Sequence, residues 1–264
     1  MPGGAGSMDP RVAGLFVATN AMVHEKTADN LPAPQAILSC LYEGPLLPMD
    51  TALRLESKYM TRLMIDGTTR NMVRTLFVNK TRCEKLVRRP EGVPNADFTR
   101  IGVLGAGLMG AGIAQVAARA GIEVVLVDRD ASAAVRGKEG IAKRMGDAVA
   151  KGRLDAAKAE QALARITPAG DAAALRGAQL VVEAVFEDRA VKSAVLGAAD
   201  AALGADAVLA SNTSTLPITG LADYTKRPRN FIGLHFFSPV DRMPLVEVIR
   251  GKKTSDATLA RALD

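Results

Sequence analysis

Gly105, Gly107 and Gly110 stand in the run GAGLMG, directly after the apolar stretch 101–104 and directly before a run of small residues, 108–120. That spacing, between a strand signal and a helix signal, suits the pyrophosphate of a dinucleotide. Gly105 permits the tight turn out of the strand, Gly107 lets the backbone approach the phosphates, and Gly110 lets the helix pack closely on the sheet. The helix that opens at Leu108 and Met109 aims unpaired N–H groups, and the positive end of its dipole, at the phosphates. Asp128 follows 23 positions after Gly105, at the end of the next apolar run. A carboxylate there accepts from both ribose hydroxyls and repels a 2′-phosphate, which favours NAD over NADP. The adjacent Arg129 works against that preference.

A second constellation carries the reacting group. His235, in GLHFFSPV, follows an apolar run at the strand end where ligands gather in open α/β sheets. Pro239 fixes a turn just beyond it. Glu247 comes 12 residues later, flanked by Val246 and Val248 in the strand-like PLVEVI. A carboxylate buried in such a strand needs a partner, because burying a bare one is costly. An imidazole serves, and the carboxylate would orient the ring, fix its tautomer and favour its protonated form. His24 sits in a polar stretch with no partner at metal-ligand spacing, so no metal site is expected. By residue type alone, Glu187 and Lys192 read as surface charges and Ser214 as a turn or capping residue.

The elements that must position these groups form an alternating series from residue 98 onward. Strand signals fall at 101–104, 123–127, 180–184, 207–210, 231–234 and 245–249. Helix signals lie between them, at 108–120, over a long zone 131–163, and at 192–203. This alternation predicts an α/β fold with a doubly wound, mainly parallel sheet of the Rossmann kind. Upstream, 9–97 reads as a helical connector. One helix is expected over 36–42, and another capped by Asp50 with Gly67 interrupting its run. The apolar residues of that run, from Leu53 to Phe77, read as packing residues. RRPEGVPN, 88–95, reads as a linker. Residues 1–8, MPGGAGSM, read as an appended leader, and 255–264 as the opening of a helix capped by Ser255 or Asp256.

Composition narrows the function. The net charge is +6 but the basic residues are scattered, save Lys80, Arg82, Lys85, Arg88 and Arg89. Aromatics make up 4%, so there is no stacking platform for nucleic acid, and none is expected as a partner. A modest positive charge suits anionic cofactors such as NAD and coenzyme A. Cys40 and Cys83 lack metal or disulfide spacing, which points to a reducing compartment. No stretch approaches the roughly 18 apolar residues of a membrane span.

In order, the runs IGVLGAGLMGAGIA, VVEAVFEDRAVK, LASNTSTLPI and GLHFFSPVDRMPLVEVIRG make 98–264 resemble the NAD-binding domain of L-3-hydroxyacyl-CoA dehydrogenases. The likeness is to those in the alpha subunit of the bacterial fatty acid oxidation multifunctional complex. The resemblance implies that His235 takes the proton of the 3-hydroxyl of an acyl-CoA substrate while hydride leaves C3 for NAD. Glu247 then orients the ring, and Ser214 holds the substrate oxygen beside the cofactor. It further implies that Glu187 and Lys192 contact NAD, and that Lys151 meets the coenzyme A moiety. Ser238 replaces the asparagine of the family's HFFNP, which shortens the reach of a contact on the nicotinamide side. Residues 9–97 are similar in position to the connector that follows an enoyl-CoA hydratase domain. A catalytic asparagine and an all-helical domain would follow 264, so this chain is expected to bind NAD with little turnover. A cytoplasmic parent working in β-oxidation with a thiolase subunit completes the implication. Two other readings stand beside it: a dehydrogenase of free hydroxy acids, which tends to use a lysine on a later helix, and a non-catalytic NAD-binding scaffold.

Overall fold

The computed structural model describes residues 10–264, so the expected leader 1–8 lies outside the described residues. The chain divides into two compact units between Arg88 and Arg89, nine residues before the boundary expected from sequence.

The first unit is helical. α1 spans Pro10–Thr27, α2 Pro32–Glu43, α3 Met49–Ile65, α4 Gly67–Val73 and α5 Lys80–Glu84, with a π-helical segment, Arg74–Asn79, before α5. Asp50 does not cap α3: Pro48 holds that position and Asp50 lies in the first turn, where its charge still favours the helix dipole. The break expected at Gly67 falls one residue earlier, at Asp66, whose carboxylate accepts from the Thr69 N–H at 3.0 Å. The expectation that the apolar run packs holds only for one stripe of it. Leu55, Tyr59 and Leu63 are half-buried, whereas Leu53, Met60, Met64 and Phe77 are exposed. Short helices in one layer cover one face each and leave the other to solvent.

The second unit is the Rossmann domain. A strap, 89–99, leads into β1 (Arg100–Leu104), α6 (Leu108–Arg119), β2 (Glu123–Val127), α7 (Ala131–Ala150) and α8 (Ala156–Ala164). Then come β3 (Ile166–Ala169), β4 (Leu180–Glu183), α9 (Arg189–Ala202), β5 (Val208–Ser211), α10 (Ile218–Leu221), β6 (Phe231–Phe236), β7 (Val246–Ile249) and α11 (Asp256–Leu263). The sheet order is β3-β2-β1-β4-β5-β6-β7, parallel except for the antiparallel β6–β7 pair.

Alternate strand residues feed two cores. Ile101, Val103, Val124 and Leu126 pack with α6, α7 and α8, through Ile113, Ile141 and Met145. Leu104, Val125 and Val127 face the other way, toward Leu196 of α9 and Leu175.

Three expectations are corrected. The zone 131–163 is two helices, parted near Gly152, whose φ of 65° is left-handed. β3 escapes the sequence signal because ITPA is short and holds Pro168, which an edge strand tolerates and a central strand does not. The segment 88–95 is also less free than a linker. Arg89 forks onto Asp264 at 2.6 and 2.8 Å and donates to the Val93 and Pro94 carbonyls, tying the strap to the end of α11.

Candidate active site

β1 delivers the chain into the glycine turn. Gly105 has a φ of 95°, and a Cβ there would come within 2.7 Å of the Ala184 carbonyl oxygen, so glycine is required twice over. At Gly110 a Cβ would run into the Gly105 carbonyl, which fixes how closely α6 seats on the sheet. At Gly107 a Cβ would meet nothing within 4 Å. Gly107 is also the N-cap of α6 and brings no side chain to it, whereas α7, α8, α9 and α11 are each capped by a side chain of their own. Open space in front of an uncapped, glycine-lined helix start fits a pyrophosphate.

Asp128 closes β2 beside that turn. Its carboxylate accepts from the Ala106 N–H at 2.6 Å and from the Arg129 N–H at 2.7 Å, which orients it at the edge of the glycine loop. The ribose acid expected from sequence therefore stands next to the expected phosphate site. These residues fit an NAD molecule laid across the ends of β1 and β2.

On the other side of β1, the ends of β4, β5 and β6 line a cleft of about 320 Å³. Met109 from the glycine turn, Glu187, Lys192, Ser214, His235 and Ser238 all border it. From Met109 to Ser238 these residues span more than 100 positions of sequence, and the parallel sheet gathers them at one end. Lys151 is not among them. It is an exposed residue at the far end of α7, whose 20 residues reach about 30 Å from their start beside Asp128.

His235 and Glu247 face each other directly across the antiparallel β6–β7 pair. Side chains of such a pair share a face, and Nδ1 lies 2.8 Å from a Glu247 carboxylate oxygen. The Phe237 ring tilts against the imidazole with centroids 4.7 Å apart. Burial is not what brings Glu247 to the ring, however. Glu247 is 54% exposed, because β7 is the sheet's edge and not an interior strand. Its carboxylate needs no partner to avoid a desolvation cost, so the pairing follows from register alone.

Reading Lys192 as a surface charge is also overturned. Its side chain is 1% exposed, in the first turn of α9, with Nζ 2.6 Å from Glu183 and 3.1 Å from Glu187. Glu187 is 36% exposed, on the cleft side. Burial alone would raise the Glu187 carboxyl. The Thr213 hydroxyl, the Lys192 ammonium and the Thr215 hydroxyl outweigh that and hold it below its ordinary value.

Three residues had no assigned part in the sequence reading. Glu183 is fully buried at the end of β4 and accepts from Lys192, from the Ser211 hydroxyl at 2.6 Å and from the Val185 N–H at 2.9 Å. Thr213 donates its hydroxyl to Glu187. Asn212 accepts from the Phe236 N–H at 2.8 Å, tying the end of β5 to the strand that bears His235. The signal for all three was present as polar residues where the apolar strands of VVEAVFE and LASNTS end. A larger cleft, about 910 Å³, lies within the first unit and holds the His24–Asp29 pair, both of whose side chains are about two-thirds exposed, with Tyr59, Arg62 and Asp66 also on its lining.

The family model described as "3-hydroxyacyl-CoA dehydrogenase, NAD binding domain" matches residues 100–264. Among solved structures, FadB2 of M. tuberculosis is 43% identical at a TM-score of 0.62, over 63% of this chain and 59% of that one. The (S)-3-hydroxybutyryl-CoA dehydrogenase PaaH1 of Ralstonia eutropha is 41% identical at 0.60, over 61% and 57%. The 3-hydroxybutyryl-CoA dehydrogenase of Escherichia coli K12 is 39% identical at 0.60, over 62% and 35%. The match thus spans well under two-thirds of each of these proteins. With the family model covering more than half of its residues, the chain belongs to the 3-hydroxyacyl-CoA dehydrogenase NAD-binding domain family, whose cofactor is NAD.

Proposed function

We propose that the parent protein oxidises an L-3-hydroxyacyl-CoA to the 3-ketoacyl-CoA, with His235 as general base. The observation that carries this reading is the 2.8 Å contact between His235 Nδ1 and Glu247 at the mouth of the cleft that Met109 of the glycine turn also borders. A carboxylate on Nδ1 holds the proton there and leaves Nε2 bare, ready to accept the proton of the substrate's 3-hydroxyl. Ser214, exposed on the same cleft, donates its hydroxyl to that oxygen and holds it against the ring. NAD, when bound, would supply the acceptor for the hydride that leaves C3. Asp128 would hold the adenosine ribose, while Glu187, Lys192 and Ser238 would border the nicotinamide half.

The domain reading extends the same proposal. Residues 9–97 connect an upstream enoyl-CoA hydratase to the dehydrogenase, and an all-helical domain beyond 264 completes the acyl-CoA site. A cytoplasmic enzyme of β-oxidation, partnered by a thiolase subunit, accommodates this arrangement. The E. coli relative, of which this chain spans only 35%, supports a longer parent. No helix among the described residues is long and apolar enough to cross a membrane.

The test is acetoacetyl-CoA reduction, followed by loss of NADH, in this chain and in the full-length parent. The chain is expected to bind NADH and turn over poorly, because a substrate misplaced by about 1 Å loses roughly 100-fold in rate. The parent is expected to be active, and His235→Ala within it to lose on the order of 100-fold or more. An inactive parent, or an active His235→Ala parent, would overturn the reading.

A further inference from the structure

Glu183, Lys192 and Glu187 form a chain of charges running from the sheet interior to the cleft. Glu183 and Lys192 are 0% and 1% exposed, and Lys192 Nζ bridges the two carboxylates at 2.6 and 3.1 Å. In register, Glu183 lies beside Leu104, the residue that precedes Gly105. Two carboxylates share one ammonium, so the group sums to one negative charge, and the exposed member is Glu187. A buried ion pair by itself adds little to stability, because desolvating both charges offsets their attraction. Its position under the glycine turn calls for another account.

The direction of the cofactor supplies one. The glycine turn fixes the pyrophosphate, and Asp128, on the β2 side, claims the adenosine ribose. The other half of the dinucleotide therefore runs toward β4 and β5, where Glu187 borders the cleft. The oxidised nicotinamide ring is a cation and the reduced ring is neutral. We propose that Glu183 is a positioning residue that neutralises Lys192, so that Glu187 presents an uncompensated negative charge and the site favours the oxidised cofactor over the reduced one. Without Glu183, the ammonium of Lys192 would cancel Glu187 and the bias would vanish. The Thr213 and Thr215 hydroxyls on Glu187 keep that carboxylate ionised and aimed. The inference rests on the reading of this cleft as the nicotinamide half of the NAD site. It adds that the site discriminates between redox states by counting charge.

The measurement is the ratio Kd(NADH)/Kd(NAD) in the full chain. NADH is titrated by its own fluorescence, which no tryptophan of the protein complicates, and NAD by displacement of NADH. One unit charge about 12 Å from the ring, at an effective dielectric of about 20, shifts affinity on the order of 10-fold, and a nearer one shifts it more. Glu183→Gln and Glu187→Gln should each lower the ratio about 10-fold. The double variant Glu183→Gln/Lys192→Met removes one charge of each sign, leaves Glu187 negative, and should restore the wild-type ratio. A purely structural Glu183 would weaken both affinities together and leave the ratio unmoved, and that result overturns the proposal. If Glu183→Gln fails to fold by circular dichroism, Glu187→Gln and the double variant decide in the same way: an unchanged ratio in Glu187→Gln, or a lowered one in a folded double variant, overturns it. Failure of the wild-type chain to bind NADH would instead refute the reading of the cleft.

Discussion

Gly107 and Gly110 are three residues apart, and the structure assigns them opposite failures. At Gly110 an added Cβ meets the carbonyl of Gly105, at 2.9 Å from its carbon, and Val103 at 3.2 Å. The obstacle is backbone inside a turn with a left-handed residue, not the far end of a flexible side chain. Either α6 or the turn must move, and overpacking of this kind costs about 2 kcal/mol. Gly107→Ala is the contrasting case. Its φ of −69° suits alanine and nothing lies within 4 Å, so stability should hold or rise by about 0.5 kcal/mol through a less flexible unfolded chain. The added methyl projects, however, into the open space that we assign to the phosphates, and NADH affinity should fall by about 10-fold or more, equivalent to roughly 1.4 kcal/mol. Urea unfolding and NADH titration on the two variants separate the effects: Gly110→Ala should lose both stability and binding, Gly107→Ala binding alone. A Gly107→Ala protein that binds NADH like the wild type would mean that no dinucleotide approaches this turn.

Other perturbations isolate other parts of the domain. Glu247→Gln in the full-length parent should leave the melting temperature nearly unmoved, since an exposed pair contributes about 0–1 kcal/mol, yet lower kcat by about 10-fold or more by releasing the imidazole; a parallel fall in melting temperature with kcat intact would contradict it. Asp200→Ala should cost about 3 kcal/mol in urea unfolding with NADH affinity unchanged, because Asp200 is 5% exposed and is the partner that Arg227 reaches at 2.9 Å. Asp264, hydrogen-bonded by Arg89, has its carboxyl held below the ordinary 3.8. A carboxyl depressed by folding stabilises the native state above its unfolded value, and that contribution is lost as pH falls through the folded one. The melting-temperature gap between wild type and Asp264→Asn should therefore be full at neutral pH and close in acid; a gap independent of pH would refute the clamp.

The elements most legible in the sequence are those whose signal is local. The turn at 105–110 announces itself because the backbone demands glycine at 105 and 110 while Gly107 keeps the space before α6 open, and the strands at 124–127 and 231–234 because strands covered on both faces are continuously apolar. β3 was hidden by its brevity and its proline, features an edge position permits. The helical unit was legible as helix but not as packing. An i, i+4 pattern such as Leu55–Tyr59–Leu63 marks a face without saying whether anything covers its neighbours.

The two charged residues whose surroundings were misjudged, Lys192 and Glu247, were misjudged for one physical reason. Local sequence put Lys192 on a polar helix start and Glu247 inside an apolar strand, and sheet order reverses both. α9 begins at the end of β4, beside the central crevice, so its first turn faces inward and a lysine there must find carboxylates. β7 is the last strand, so its faces stay open and a glutamate there can remain wet. Burial in an α/β sheet is thus a property of where a strand sits in the order, which no window of residues contains. The same order explains the His235–Glu247 contact, which burial does not: antiparallel register sets the two side chains opposite each other, the imidazole on β6 and the carboxylate on the edge strand β7.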